Sequence, residues 1–369
     1  MADLFIGLMS GTSMDGVDGV IADFSFSGVR VLQHASCGFD AALRSELMAL
    51  NASGPDELHR AWLAGNALMR VYADVVRKLL ARASLKPQEI EAVGAHGQTV
   101  RHRPQMYDGT GYTIQLAQPA LLAELTGIRV VADFRSRDVA AGGQGAPLAP
   151  VFHQAVFSRT GQTVGVLNLG GISNITVLRT DGSVHGFDCG PGNALMDGWC
   201  LQHTGSPYDD DGRWAASGQV LPGLLASLLA EPYFHQAPPK STGRDLFNRP
   251  WLEAHLQNFP GAAPQDVQAT LTELTARTCA EAIERHAGAL QRLIVCGGGA
   301  LNGYLMRRLA ALLPQAQVLS SAEAGLPPLQ VEAAAFAWFA MKCVRGEKLH
   351  LENTTGARGA RVLGGIYPA

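Results

Sequence analysis

The sequence predicts an α/β protein built from two lobes of similar construction. Each half opens with an apolar strand, a turn of small residues and a second strand: "GLMSGTSMDGVD" in the first half and "LNLGGISNIT" in the second. Strands and helical periodicity then alternate, which is typical of α/β folds. The 369 residues, 47% of them hydrophobic, suffice for roughly two or three domains with sizeable cores. Two such lobes would face each other across a cleft, where small-molecule sites usually lie.

The bulk composition argues against several classes of protein. A net charge of −3 and a pI near 6.4 do not favour a nucleic-acid-binding surface. The N-terminus has no basic leader, and no stretch reaches the ~18 apolar residues of a membrane helix. We therefore expect a cytoplasmic protein. Six cysteines without a C-x-x-C pair indicate reduced thiols; they are Cys37, Cys189, Cys200, Cys279, Cys296 and Cys343.

In the first half, the pattern predicts strands at 4–9, 17–24, 29–36, 92–96, 112–117 and 129–134, and helices near 40–51, 55–84 and 119–127. In the second half, it predicts strands at 163–171, 173–180, 184–190, 292–296 and 317–321, and helices near 194–204, 219–230, 250–258, 265–287, 302–313 and 330–344. "AAGGQGAPLAP", near Ala140, indicates either a crossing between domains or a functional loop. We place one lobe at 1–140, joined by 345–369, and the other at 141–344.

The first turn, Gly11 to Asp18, matches half of a Walker A loop. "GTSMDG" has the G-x-x-x-x-G spacing, but Val17 and Asp18 stand where Lys and Ser/Thr belong. Backbone N–H groups in such a turn can form an anion-binding nest without a lysine, and a plain polar hairpin is the alternative. The second turn, Gly170 to Asn174, favours the nest, because two nests from opposite lobes could hold a polyphosphate.

A third glycine cluster, "IVCGGGALN", follows a buried strand and precedes a helix. Gly297 and Gly299 begin a dinucleotide fingerprint, but Asn302 occupies the third glycine position and no ribose-binding acid follows. A nucleotide could still rest at the helix N-terminus, where glycines let the backbone approach it. A tight strand-to-helix turn explains the same residues.

Asp188, in "GFDCGPGNALMDG", is the candidate for the reacting centre. It ends an apolar strand and precedes a Gly-Pro-Gly turn. A carboxylate at a strand end in a cleft is a suitable general base. The alternative is that Asp188 caps the helix predicted at 194, although five residues is a long reach for a cap.

Other polar residues are candidates for ligand contacts. His96 ends a buried strand, where it could contact the substrate or could be an ordinary core residue. Arg135 and Arg137 follow another strand end and could clamp an anion, or form a salt bridge within the turn. Glu332, the only acid in the closing helix, could hydrogen-bond a ligand hydroxyl or simply favour the helix dipole.

The segment "PPKSTGRDLFN" combines Lys240 and Arg244 with two hydroxyl residues and a glycine. This mixture suits contact with a phosphate or a nucleotide. A surface loop explains it almost as well.

These motifs together resemble a known family. The duplicated lobes and three glycine loops resemble the sugar kinase/Hsp70/actin superfamily. Within it, the chain resembles the anhydro-N-acetylmuramic acid kinase family over nearly its whole length. The motifs that carry this resemblance are "GLMSGTSMDGVD", "AHGQT", "ADFRSRDVAAGGQGAPL", "NLGGISN", "GFDCGPGN", "KSTGRDLFN" and "CGGGALN". The resemblance implies two duplicated actin-like (ribonuclease H-like) lobes with a central nucleotide cleft.

The resemblance also implies a reaction. The family uses ATP and water to open 1,6-anhydro-N-acetylmuramic acid and phosphorylate O6, giving N-acetylmuramic acid 6-phosphate and ADP in cell-wall recycling. It implies Asp188 as the catalytic residue, ATP with Mg²⁺, a homodimer, and no nucleic-acid or membrane partner. Asp15, Asp18 or Asp188 could hold the water shell of the metal. Ordinary sugar kinases, ATP-driven binding modules and glycoside hydrolases, which usually need two carboxylates, remain as alternatives.

By the same resemblance, the nucleotide-binding residues are Gly11, Thr12, Ser13, Met14, Asp15, Gly16, Val17 and Asp18, completed by Gly170, Gly171, Asn174, Gly297, Gly298, Gly299 and Asn302. The expected substrate contacts are His96, Arg135 and Glu332.

Overall fold

The structure is a computed structural model that describes residues 3–11, 14–26 and 28–369. The predicted nucleotide-binding residues Thr12 and Ser13 lie outside the described residues. The chain divides into two compact units, one formed by residues 1–156 and 330–369 and the other by residues 157–329.

The strands, in chain order, are β1 (Leu4–Met9), β2 (Gly16–Asp23), β3 (Arg30–Gly38), β4 (Ala92–Ala95), β5 (Gln98–Pro104), β6 (Gly111–Leu116), β7 (Val130–Ala132), β8 (Val164–Leu169), β9 (Ile172–Leu178), β10 (Val184–Pro191), β11 (Arg292–Cys296), β12 (Gln317–Ser320) and β13 (Gly365–Tyr367).

The α-helices are α1 (Ala41–Ala49), α2 (Glu57–Ala83), α3 (Pro119–Thr126), α4 (Ser136–Ala140), α5 (Ala149–Phe157), α6 (Ala194–Thr204), α7 (Arg213–Ser217), α8 (Pro222–Leu229), α9 (Arg249–Leu256), α10 (Pro264–His286), α11 (Gly303–Leu312) and α12 (Val331–Val344). Within the described ranges, none of them is both long and apolar enough to cross a membrane.

The sheet of the first unit has the strand order β3-β2-β1-β4-β7-β13. Strand β2 is antiparallel to both of its neighbours, whereas β1, β4 and β7 run parallel. The edge strand β13 adds to β7 in the antiparallel sense. One face is covered by α2, whose buried stripe of Leu68, Tyr72, Val75, Val76 and Leu79 has helical spacing.

The sheet of the second unit repeats this arrangement, with the order β10-β9-β8-β11-β12. Strand β9 is antiparallel to β8 and β10, and β8, β11 and β12 run parallel. Both units therefore contain the order 3-2-1-4-5 with the second strand reversed, which is the ribonuclease H-like arrangement. The predicted α/β class and the predicted duplication are confirmed.

Helix α12 packs against β1, β2 and β4 of the first unit. It is buried on nearly every side, which explains its lack of an alternating polar face. Its backbone approaches the sheet at two glycines: a Cβ on Gly7 would overlap the Ala333 carbonyl, and a Cβ on Gly94 would overlap the Phe336 carbonyl. The helix can lie this close only because both strands carry glycine there.

The structure divides the chain at different points from those that the sequence suggested. The sequence suggested boundaries at 140/141 and 344/345. Residues 330–344 belong to the first unit because α12 covers its sheet. The loop near Ala140 also belongs there, since the Asp138 carboxylate accepts hydrogen bonds from Gly145 N and Thr355 Oγ1, both at 2.7 Å. The crossings between units lie instead at 156/157 and 329/330.

Several short elements were not predicted. Strand β5 forms a separate two-stranded sheet with β6, and α4, α5, α7 and β13 are also additions. Most of these span three to nine residues, too few for a periodic pattern to identify. All six cysteines are free thiols, and all but Cys37 are buried, as expected.

We expect Gly94→Ala to destabilise the first unit by about 3 kcal/mol, the upper part of the usual range for over-packing. The added methyl group would overlap the Phe336 carbonyl, so α12 must move. Urea unfolding followed by tryptophan fluorescence measures the change, since Trp338 lies in α12. Gly261→Ala is the matched control, because no atom lies within 4 Å of its added Cβ. Equal urea midpoints for the two variants would contradict this account of the packing.

Candidate functional site

The turn between β1 and β2 is held by residues that follow β4. Ser10 Oγ donates to Gly97 O at 3.0 Å, and Gln98 Nε2 donates to Gly11 O at 3.1 Å. Ser10 Oγ also shares a hydrogen bond of 2.9 Å with Tyr72 OH. Two successive residues after β4, Gly97 and Gln98, therefore hold two successive residues of the turn after β1, Ser10 and Gly11.

The predicted nucleotide-binding residues of this turn differ in what they expose. The side chains of Met14 and Val17 are buried in the core, so only their backbone atoms could meet a ligand. Asp15 and Asp18 are exposed, and Asp18 Oδ1 lies 3.1 Å from Nε2 of His34. The described residues of this turn thus offer two carboxylates and their backbone groups to a ligand.

His96 lies between this turn and Arg135. Arg135 Nη2 donates to His96 Nε2 at 3.0 Å, and His96 Nδ1 lies 3.3 Å from Ser10 O. Because a guanidinium only donates, Nε2 must accept and Nδ1 must carry the proton. Burial and the charge of Arg135 lower the pKa of His96 to about 3, so the ring is neutral. Both ring nitrogens are occupied, so His96 can act on a substrate only through Arg135.

Arg135 and Glu332 form the charged part of the first unit's candidate site. Loss of water contact lowers the pKa of Arg135 to about 10, while the charges of Glu332 and Asp138 oppose that shift. Loss of water contact also raises the pKa of Glu332, Asp18 raises it further, and Arg135 lowers it. The Glu332 side chain still reaches solvent, so the protein packed around it, and not complete burial, is what weakens its hydration. Arg137 is exposed, and it is Arg135 whose charge affects Glu332, so Arg135 is the better candidate of the two for a substrate contact.

The turn between β8 and β9 in the second unit is fixed by the residues that follow β10. Gly170 O accepts from Asn193 N at 2.7 Å, and Gly171 O accepts from Gly192 N at 3.0 Å. Thr275 Oγ1, from α10, in turn donates to Gly192 O at 3.1 Å. Both carbonyl oxygens of the turn therefore already accept a hydrogen bond. No unpaired carbonyl oxygen of this turn would repel a bound anion.

The third glycine cluster packs against the same turn. Asn193 Nδ2 donates to Leu169 O at 3.0 Å. A Cβ on Gly298 would lie 3.1 Å from Asn193 Nδ2, and a Cβ on Gly299 would lie 3.0 Å from Asn193 Oδ1. Asn302 caps α11 by accepting from Leu305 N at 3.0 Å. The second unit therefore brings three glycine motifs together at the carboxyl ends of its parallel strands. They are the turn after β8, the turn after β10 and the cluster after β11.

Asp188 lies inside β10, opposite Asn174 and just before a bulge. The strand continues to Pro191, one residue beyond the predicted end at 190, so Asp188 lies within the strand and does not end it. Asp188 does not cap α6, because the N-cap position belongs to Asn193. Its Oδ2 accepts from Ser241 Oγ at 2.8 Å and from Thr242 N at 3.0 Å. Its Oδ1 has no hydrogen-bond partner among the described residues.

The surroundings of Asp188 shift its proton affinity in opposite directions. Partial burial raises the pKa of Asp188, and this effect exceeds the lowering by Thr242 N, Ser241 Oγ and the charge of Lys240. A carboxylate with a raised pKa and one open oxygen can accept a proton from a bound molecule.

Arg244 and Asp197 form a second charged group in this unit; the sequence analysis considered Arg244 for a phosphate contact but did not place Asp197 in the site. A Cβ on Gly171 would lie 3.0 Å from Arg244 Nη2, so this guanidinium covers the β8–β9 turn. Burial raises the pKa of Asp197 to about 6, with Arg244 opposing the shift. The sequence signal that could have pointed to this group is Gly171, because only a residue without a side chain leaves room for Arg244 over the turn.

Duplicated ribonuclease H-like sheets with glycine-rich turns after the first strand define an actin-like α/β protein. A profile of the anhydro-N-acetylmuramic acid kinase family matches residues 3–369, and the chain belongs to that family. Its relatives include the anhydro-N-acetylmuramic acid kinases of Variovorax paradoxus, 63% identical over 100% of this chain and 99% of the relative, and of Pseudomonas putida, 51% identical over 99% of each.

Solved structures align with the chain at much lower identity. The activator of 2-hydroxyisocaproyl-CoA dehydratase from Clostridium difficile, with bound ADPNP, covers 94% of this chain and 96% of its own at 13% identity and a TM-score of 0.49. ROK hexokinase from Thermus thermophilus covers 93% of this chain and 100% of its own at 16% identity and a TM-score of 0.37. The fold assignment here rests on strand order alone.

We expect His96 to make the protein less stable in acid. Its pKa is 6.5 when unfolded and about 3 when folded, so only the unfolded chain binds this proton between those values. Stability is therefore full above pH 6.5 and falls as the pH drops, by about 2 kcal/mol at pH 5. His96→Asn should remove that part of the loss in urea titrations at pH 7.5 and 5.

The exposed His59 provides the control, because His59→Asn should leave the pH dependence as it is in the wild-type protein. An acid loss of equal size in wild type and His96→Asn would show that His96 titrates normally.

Proposed function

We propose that this protein is an ATP-dependent kinase of 1,6-anhydro-N-acetylmuramic acid. It opens the anhydro bridge with water and transfers the γ-phosphoryl group of ATP to O6, which yields N-acetylmuramic acid 6-phosphate and ADP. The observation that carries the chemistry is Asp188, whose carboxylate has one oxygen held by the protein and one without a partner among the described residues. Membership of the family over residues 3–369 supports the choice of substrate.

The chemistry follows from the bonding of the substrate. O6 is joined to C1 in an internal acetal, so it has no proton for a base to remove. Asp188 Oδ1 instead takes a proton from a water molecule while the oxygen of that water bonds to C1. The C1–O6 bond breaks, and O6 attacks the γ-phosphorus as ADP leaves. Phosphoryl transfer has a loose transition state with its charge spread over oxygens.

We assign the phosphates of ATP to the glycine-rich turns. In the first unit, these are the backbone and the polar groups of residues 11–18. In the second unit, they are Gly170, Gly171 and the loop 297–302, with Arg244 as an added cation over the β8–β9 turn. Preorganised donors of this kind stabilise charge that develops during transfer.

The sugar contacts are assigned to Arg135 and Glu332. A guanidinium suits the carboxylate of a muramic acid, and an exposed carboxylate suits a sugar hydroxyl. His96 holds Arg135 through the bond between Arg135 Nη2 and His96 Nε2, so its contribution to substrate binding is indirect.

The reaction also implies Mg²⁺. The described part of the chain has no group of three His, Cys, Asp or Glu side chains able to hold a metal. This agrees with a magnesium ion bound by one or two carboxylates, phosphate oxygens and water. The exposed Asp15 and Asp18 fit that description, and bound Mg²⁺ would neutralise phosphate charge. Because Ser241 and Thr242 hold Asp188 as the base, we do not assign it to the metal.

We further propose that the protein acts in the cytoplasm as a homodimer. Its substrate is a product of cell-wall breakdown, and the enzyme would return that product to metabolism. Size-exclusion chromatography with light scattering measures the number of chains directly.

We expect ADP to form from ATP and Mg²⁺ only when the anhydro sugar is present. Reducing N-acetylmuramic acid should give little ADP, since its O6 proton lacks the base that an ordinary sugar kinase supplies. In ¹⁸O-labelled water the label should appear at C1 of the product, as mass spectrometry would detect. Label at the phosphate, or a preference for the reducing sugar, would contradict the proposed reaction.

We expect Asp188→Asn to lower kcat by about 10²–10⁴-fold, the usual contribution of a general base. The amide keeps the size of the side chain but cannot take a proton from water. A coupled assay for ADP measures kcat, and circular dichroism checks folding. Asp181→Asn, in an exposed turn of the same unit, should retain wild-type turnover. Near-normal turnover in Asp188→Asn would exclude Asp188 as the base.

A further inference from the structure

One neighbouring segment, residues 233–242, makes several hydrogen bonds to Asp188. Its backbone N–H donates to Lys240 O at 3.2 Å, and its backbone carbonyl accepts from Tyr233 OH at 2.9 Å. Its Oδ2 accepts from Ser241 Oγ and from Thr242 N. The segment thus binds the backbone of Asp188 on both sides of the residue and one of its two carboxylate oxygens.

Lys240 occupies an unusual position in this segment. It is 8% exposed, and no Asp or Glu lies within 4.0 Å of it among the described residues. Its Nζ lies 4.7 Å from the centre of the Tyr233 ring and 3.4 Å from Tyr233 O. A buried ammonium without a paired carboxylate is costly, so its retention needs an explanation. The carboxylate that interacts electrostatically with Lys240 is that of Asp188.

We propose that Lys240 and Ser241 are positioning residues for the general base Asp188, and not phosphate contacts. This inference rests on the proposed role of Asp188. Ser241 and Thr242 hold Oδ2 and so turn Oδ1 towards the water that attacks C1. The Lys240 carbonyl accepts the hydrogen bond of Asp188 N, which fixes the Asp188 backbone, and the positive charge of Lys240 favours the ionised form of the Asp188 carboxylate.

The assignment accounts for a motif that the nucleotide site does not use. "KSTG" has the composition of a phosphate loop, but its hydroxyl at 241 and its amide at 242 are both taken by Asp188. A phosphate would have to compete with a carboxylate already bound at those donors. The other hydroxyl of the motif, Thr242 Oγ1, is buried without a partner among the described residues.

The titratable groups that face Asp188 are few. Lys240 lowers the pKa of Asp188, and Tyr233 and Cys189 are affected by the charge of Asp188 without titrating near neutral pH. Arg285 and His286, at the end of α10, face Lys240. A pH profile that changes when Ser241 is replaced therefore reports on Asp188, whereas replacing Lys240 also raises the pKa of His286, so Ser241 is the decisive position.

The test measures kcat, KM and the pH profile of kcat/KM with ATP and the anhydro sugar. Ser241→Ala removes a donor to the ionised carboxylate, so the acidic limb should move to higher pH. Its kcat should fall about tenfold, as for a lost hydrogen bond to a charged group, with KM for ATP unchanged. Ser241→Thr, which restores the hydroxyl, should recover the wild-type profile.

Lys240→Met should also move the acidic limb to higher pH, and Lys240→Arg should return it towards wild type. The exposed residues Ser206 and Lys348 give the controls Ser206→Ala and Lys348→Met, which should behave as wild type. Should Lys240→Met fail to fold, the exposed Ser241 still provides the test.

Two results would overturn the proposal. One is an unmoved acidic limb in Ser241→Ala, and the other is a raised KM for ATP with unchanged kcat, which would make the segment a phosphate contact. Asp188→Asn is measured in parallel. If that variant is inactive while Ser241→Ala has a wild-type profile, only the positioning role fails. If Asp188→Asn is active, the proposed base itself fails.

Discussion

The contact between α12 and the strands β1 and β4 is the constraint on which the first unit depends. Gly7 and Gly94 leave no room between the sheet and the helix backbone, so the helix cannot slide along the sheet without a clash. Its first turn is therefore fixed relative to the end of β1. This brings Glu332 into the field of Arg135 and Asp18, so a packing requirement of the core also sets the charges of the candidate site.

Hydrogen bonds to backbone carbonyls, more than side-chain ion pairs, define the candidate site in both units. In the first unit the residues after β4 hold the turn after β1, and in the second the residues after β10 hold the turn after β8. Such turns present amides in fixed directions at little reorganisation cost. The charged groups are then few and individually placed: Arg135 beside a neutral His96, and Asp188 beside the buried Lys240.

The sequence predicted the duplicated strands and the long helices, because their apolar periodicity extends over many residues. It also proposed Asp188, Arg135 and the glycine turns as candidates, since glycine-rich turns and charged residues next to apolar strands can be recognised in a sequence. It could not assign α12 to the first unit, because that depends on Gly7 meeting a helix more than 300 residues later. Nor could it show that Ser241 binds Asp188, since 53 residues separate them.

The first unit is made of two pieces of chain with the whole of the second unit between them. Its core requires α12, and its loop near Ala140 requires the hydroxyl of Thr355. During synthesis on the ribosome, residues 157–329 emerge as a continuous stretch that can form its own sheet. Residues 1–156 have an uncovered sheet face until residues 330–369 have been synthesised, so the first unit can complete its folding only after the residues of the second unit have emerged.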